Sequence, residues 1–383
     1  MKKWMSYSFC CAERQDECEE DITMKWTEID KKQLKIYAAI AFGIPFLLGL
    51  LMWYGSSQGR NMSVFPNAQM LYPAAGVMVL LLVTKKKEEV PRRFFISYLI
   101  TTVLMIGCAV GSAFTDDAMV WAGMTNLVLI FGSIVCGILM LTEKREKRIA
   151  CGLKGQKWGL SVFYILLFAA LYLLRQVIAC IMEGELSAFT SVLADPMTWY
   201  LLVVVLINYV FVFIAFFGEE YGWRYFLQPM LQKRFGKRMG VIFVGVVWGL
   251  WHMPLDFFFY TADPGMGLIS VVAHQITCIT LGIFFAYAYM KTGNIWVPTI
   301  LHFLNNNLIA VLAGNMSEEV IAGQEMYWSD LLPALLINGI LFGIFLLAKE
   351  FRKGEPGNES GKESGKESGK DDENSCICDT SDL

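Results

Sequence analysis

Apolar residues recur along this chain in long, nearly unbroken runs separated by short polar stretches. Taken at the length needed to cross a bilayer, about 17–25 residues, the runs predict helices over 35–54, 68–84, 95–114, 119–141, 158–182, 197–217, 239–258, 266–290, 295–314 and 330–349. The connectors alternate in charge. Those after even-numbered runs carry Lys85, Lys86, Lys87, Arg92 and Arg93, then Lys144, Arg145, Lys147 and Arg148, then Lys233, Arg234, Lys237 and Arg238. Those after odd-numbered runs carry acids such as Asp116, Asp117, Glu183, Glu185, Asp263, Glu318 and Glu319, with Arg60 as the basic exception. The positive-inside rule places the basic connectors, and with them both termini, in the cytosol. The pattern predicts an all-α, polytopic transmembrane bundle of about ten spans.

Composition agrees. Of 383 residues 55% are hydrophobic and only 17% charged, too little charge to cover a soluble protein of this size. The net charge of −3 resides in loops and points to no nucleic-acid partner. The expected organisation is a cytosolic segment over 1–34, N-terminal spans over 35–196, a core over 197–314, a final span within 315–350 and a disordered cytosolic tail over 351–383. That tail repeats Ser-Gly-Lys-Glu and has nothing to pack. The opening MKKWMSYSFCCAERQDECEED has no adequate apolar stretch and does not read as a signal peptide. Of the ten cysteines, Cys108, Cys136, Cys180 and Cys278 fall in apolar runs, where cysteine acts as a small hydrophobe. Cys10, Cys11, Cys18, Cys151, Cys376 and Cys378 fall in segments expected in the reducing cytosol, so no disulfide framework is expected.

Ionisable residues at membrane depth are rare and usually functional. Here they are Arg175, Glu219, Glu220, Arg224, His252, His274 and His302, with Asn306 as a polar neighbour; all three histidines of the chain are among them. In GEEYGWR, Glu220 and Arg224 are four apart and share a helix face. Glu219, one residue earlier, points about 100° away and is left free, unless both acids merely snorkel at a helix end. In VVWGLWHMPLDFF, His252 follows Trp248 by one turn, and Pro254 perturbs the helix beside it. A core histidine bonded to a backbone carbonyl is an equal reading. In NIWVPTILHFLNNN, His302 and Asn306 share a face and form a polar notch, suited to an oxyanion or to an interhelical clasp. Asn305 and Asn307 are expected to point away as packing or rim residues, and His274 to pack in the core, with a peripheral role in substrate access as the lesser reading.

Together these three motifs, over roughly 200–314, resemble the CPBP family of CAAX-protease and bacteriocin-processing intramembrane endopeptidases, also called the Abi family. The resemblance implies that Glu219 acts as general base on a water together with His252, that His302 and Asn306 stabilise the oxyanion, and that Glu220 and Arg224 orient the site. The family commonly has phenylalanine where Trp248 stands. It often has glycine after the motif arginine, where Tyr225 here is large enough to narrow the site. No cofactor is favoured, because no H-E-x-x-H helix is present; a zinc ion held by Glu219, His252 and His302 is the alternative. The implied partners are the lipid bilayer and a peptide or lipidated protein substrate, admitted from the cytosolic side or the bilayer interface. The expected location is the plasma membrane of a bacterium. Competing readings are a non-enzymatic scaffold or bacteriocin-immunity protein that binds a peptide, and a transporter relaying through the buried polar groups.

Overall fold

The computed structural model describes residues 25–261, 264–314 and 327–352. The N-terminal cysteines Cys10, Cys11 and Cys18, the Ser-Gly-Lys-Glu tail and Cys376 and Cys378 lie outside them. Among the described residues there is no strand. The helices are α1 (Glu28–Ala41), α2 (Gly43–Ser57), α3 (Val64–Gln69), α4 (Tyr72–Thr84), α5 (Arg92–Phe114), α6 (Ala118–Leu141), α7 (Arg145–Ala150), α8 (Trp158–Glu183), α9 (Leu186–Ala194), α10 (Pro196–Glu220), α11 (Gln228–Phe235), α12 (Lys237–Trp251), α13 (Met253–Phe258), α14 (Gly267–Thr292), α15 (Trp296–Leu312) and α16 (Trp328–Leu341).

Several termini follow from local chemistry. Thr27 and Asp30 close a capping box at the start of α1, with Asp30 Oδ2 accepting from Thr27 N at 2.8 Å and Thr27 Oγ1 from Asp30 N at 3.1 Å. Asp195 caps α10 through Met197 N, and Pro196 occupies its first turn. Gly184 and Gly293 end α8 and α14 in the left-handed conformation that glycine adopts without a Cβ penalty.

Among the described residues, eight helical stretches are long and apolar enough to cross a membrane: Glu28–Ser57, Val64–Thr84, Arg92–Phe114, Ala118–Leu141, Trp158–Glu183, Pro196–Phe235, Lys237–Phe258 and Gly267–Thr292. The protein is an all-α, multi-pass membrane protein. The two other expected spans are shorter. α15 has 17 residues, and the run expected as one helix over 330–349 leaves α-geometry after Leu341 and continues as 3-10 turns. Gly339 and Gly343 flank that change, and glycine supports an α-helix poorly. Large apolar side chains such as Leu47, Trp53, Leu166 and Val203 are exposed on the outer surface, as lipid-facing residues are.

Short connectors reverse the chain direction, which gives the bundle two chemically distinct ends. α4, α6, α11 and α14 finish at one end, where the basic connectors lie, and α5, α8, α12 and α15 begin there. The ends of α2, α5, α8 and α13 meet the starts of α3, α6, α10 and α14 at the other. There, Arg60 pairs with Asp116 at 3.2 Å. α12 lies close along α14: a Cβ on Gly245 would stand 2.6 Å from Ile279 Cα. This contact fixes the helix that ends at His252 against the one that carries His274.

Candidate active site

The GEEYGWR segment sits where α10 changes geometry. Tyr221–Leu227 is a π-helical stretch that joins α10 to α11 without a break; such wide turns recur at functional sites. The approach to it is tight. A Cβ on Gly218 would collide with Met70 O and Tyr98 Oη, and one on Gly222 with Pro73. Glu220 and Arg224 are both fully buried and pair at 2.7 Å. Arg224 Nη1 also donates to Gly282 O at 3.4 Å, and its guanidinium lies 5.1 Å from the Trp248 ring centroid. Glu219 points elsewhere, as the spacing predicted. Its Oε2 accepts from Trp248 Nε1 at 2.7 Å and from Trp223 Nε1 at 3.3 Å.

His252 caps the end of α12, because Pro254 lacks the N–H that would continue the ladder. Its Nδ1 stands 2.9 Å from Trp248 O. A carbonyl only accepts, so Nδ1 carries the hydrogen and Nε2 of the neutral ring keeps a lone pair. The turn is held from behind by Gln69 Nε2, which donates to Trp251 O at 2.9 Å, and by Trp251 Nε1, which donates to Ala41 O at 2.7 Å. His302 lies between the rings of Phe216 and Trp248, with centroids at 5.4 and 5.3 Å. Its Nδ1 meets Glu220 Oε1 at 3.0 Å. The carboxylate, already paired with Arg224, accepts there, which turns the role of Nε2 toward other partners. Asn306 accepts at Oδ1 from Asn305 Nδ2 at 3.0 Å, leaving its own amide N–H groups to donate.

Glu219, His252, His302 and Asn306 all line one cavity of about 1280 Å³; Glu220 and Arg224 stand behind its wall. No hydrogen bond joins Glu219 to His252, His302 or Asn306. The cavity corrects four expectations. Asn305 and Asn307 line it as well rather than pointing away. Tyr225 does not: it stacks on Tyr221 with centroids 4.5 Å apart and packs on Gly152, where a Cβ would come 2.5 Å from its ring. The larger side chain therefore narrows nothing. His274 is not inert packing. It stacks on His252 with centroids 4.7 Å apart and planes 2° from parallel, and its Nδ1 meets Asp256 Oδ1 at 2.5 Å.

Asp256 was missed by the sequence reading. It is fully buried, also accepts from Ser270 Oγ at 2.8 Å, and leaves Oδ2 without a partner among the described residues. Its signal was its place four residues after His252 in an apolar segment, hidden by its nearness to the end of the expected span.

Glu219, His252 and His302, the set named for zinc, all line the cavity but are not gathered as a ligand group. Among the described residues no three His, Cys, Asp or Glu side chains are grouped to hold a metal. The Nδ1 atoms of His252 and His302 each meet a protein acceptor, which leaves the Nε2 atom of each ring open to other partners.

Comparison with known proteins adds one finding. Residues 197–308 match the family model described as Type II CAAX prenyl endopeptidase Rce1-like. The likeness to that family is confined to this segment. It contains all three motifs and is the family they resemble, so the chain is read as a membrane-embedded protease of this general kind. No curated protein and no solved structure matches the chain. In this segment Trp248 does what phenylalanine cannot, since its indole N–H makes the shorter of the two bonds to Glu219.

Proposed function

We propose that the protein is an intramembrane endopeptidase that hydrolyses a peptide bond with a water activated by Glu219, in the plasma membrane of a bacterium with its basic connectors in the cytosol. The observation that carries this reading is the placement of Glu219, His252, His302 and Asn306 around one cavity, with Glu219 held by two indoles rather than neutralised by arginine. Glu219 takes a proton from the water as its oxygen attacks the scissile carbonyl carbon. The oxyanion that forms accepts from Asn306 Nδ2 and His302 Nε2. A donor at His302 Nε2 requires the doubly protonated ring, whose charge completes a neutral set with Glu219, Glu220 and Arg224. When Glu219 loses its charge, that charge reappears on the oxyanion beside His302. The C–N bond then breaks, and the proton passes to the leaving amine from Glu219, with His252 Nε2 as the acceptor that orients the water. Glu220 and Arg224 set the angle of His302.

The test uses wild type, Glu219→Ala and His302→Ala purified in detergent, with a panel of lipidated and plain peptides, with and without chelator. Cleavage by the wild type that persists in chelator and disappears in both variants supports the reading. Activity that survives both substitutions sinks it, and chelator-sensitive cleavage restored by zinc replaces it with a metal mechanism.

A further inference from the structure

The position of Glu219 near the basic end suggests entry from that end, but the cavity leads the other way. Its lining comes from the C-terminal part of α8 (Tyr172–Glu183), the first turns of α3 and α16, and α15 from His302 onward. In the antiparallel bundle all of these lie on the side of the acidic connectors. No residue of the connectors 85–91, 142–157, 233–238 or 291–295 lines it. Exposure rises in the same direction. Glu219 and His302 are 2% and 4% exposed, His274 has a quarter of its side chain open, and Glu183 and Asp330 at the far limit are exposed.

The basic end is closed by bonds between connectors and helix ends. Tyr221 Oη donates to Cys151 O at 2.8 Å, Trp296 Nε1 to Leu153 O at 3.0 Å, and Asn294 Nδ2 to Gln156 O at 3.1 Å. On the opposite flank, Lys233 pairs with Asp30 at 2.7 Å, and the fully buried Tyr37 packs against Trp223 and Phe226. The cavity wall itself is rich in carboxamides: Asn67, Gln176, Asn208, Asn305, Asn306 and Asn338 all line it. Asn305 Oδ1 is buried there with no donor among the described residues. Carboxamides both donate and accept. They match the alternating N–H and C=O groups of an extended peptide, and an unmet buried acceptor is costly until an N–H reaches it.

We propose that the substrate reaches Glu219 from the acidic-connector end, as a peptide segment whose backbone lies along this carboxamide wall. Under the positive-inside rule that end is extracytoplasmic. The proposal rests on the reading of Glu219 as the reacting centre, but its test does not need turnover. In a background with the terminal cysteines Cys10, Cys11, Cys18, Cys376 and Cys378 and the cavity-lining Cys180 and Cys278 replaced by serine, Gln176→Cys and, separately, Asn67→Cys are reacted with a membrane-impermeant maleimide in sealed vesicles of both orientations. Gln58→Cys marks the acidic-connector end and Lys86→Cys the basic end. Both cavity cysteines are expected to react in the vesicles in which Gln58→Cys reacts, and not in those in which only Lys86→Cys does. Reaction from the Lys86 side, from both sides, or from neither overturns the route. A short acetylated alanine–leucine peptide is expected to slow labelling of Gln176→Cys several-fold. Protection by a farnesylated copy and not by the plain peptide overturns recognition through the backbone. Failure of every peptide in the cleavage panel, with labelling as expected, would remove the protease reading and leave the route standing.

Discussion

At the residue scale, the site depends on how one carboxylate is held and the other is neutralised. Glu220 is fully buried and shared between Arg224 and His302. Replacing Arg224 by methionine keeps the volume but leaves Glu220 without its cation, and breaking a buried pair costs about 3–5 kcal/mol. Thermal or denaturant unfolding of Arg224→Met in detergent is expected to show that loss; unchanged stability would mean that the pair contributes nothing. Glu219 is different, because its partners are indoles. Trp248→Phe removes the 2.7 Å bond and leaves the 3.3 Å bond from Trp223. Losing the shorter bond lets the carboxylate turn, and misplacing a reacting group by about 1 Å can cost on the order of a hundredfold, so kcat should fall at least about tenfold with little change in KM; unfolding should lose roughly 1.5–3 kcal/mol, the contribution of a hydrogen bond to a charged group. A matching rise in KM would assign Trp248 to substrate binding instead. The spacing E-E-x-x-x-R already divided the two acids in the sequence. The indole donors were not legible, because nothing in a single chain says that Trp223 and Trp248 converge on one oxygen from two helices.

At the element scale, the apolar runs located the helices but not their internal changes. The pause at Phe42, the π-helical stretch Tyr221–Leu227 and the 3-10 continuation after Leu341 all lie within hydrophobic sequence. Hydrophobicity alone does not distinguish a four-residue from a five-residue hydrogen-bond step. Pro254 did announce the end of α12, since a missing N–H is a local property. Asp256 and His274 were misread for the opposite reason. Their pairing joins α13 to α14 and becomes visible only once Gly245 lets α12 approach the backbone of Ile279. Gly245→Val is therefore expected to force α12 and α14 apart. Overpacking of this kind costs about 1–3 kcal/mol, and here it should also lower activity by moving His252. Full activity with an unchanged unfolding midpoint would show that the helix pair has slack which the contact does not suggest.

At the scale of the whole molecule, charge alternation along the connectors predicted the two ends, and the antiparallel order of the helices reproduces them. The direction of the cavity was not predictable, because it depends on which helix halves stand apart. Closure of the basic end has a chemical consequence. Cys151 is 2% exposed, and burial pushes its thiol up to about 12. A folded value above the unfolded one favours the neutral thiol in the native state. The linked stability is present below the ordinary cysteine range near 8.5 and is lost as pH rises toward 12. Cys151 should thus resist maleimide at pH 8 in the folded protein and react on unfolding; rapid native-state labelling would show that the connector over the basic end opens.

The central claim is that Glu219 delivers water directly to a peptide bond. The most direct measurement is a single turnover in water enriched in heavy oxygen, using a peptide that the wild type cleaves, alongside Glu219→Gln checked for an unchanged unfolding midpoint. One heavy oxygen is expected in the new carboxylate of the first product formed, and no product from Glu219→Gln. First-turnover product without heavy oxygen, or cleavage by a folded Glu219→Gln variant, would contradict the claim.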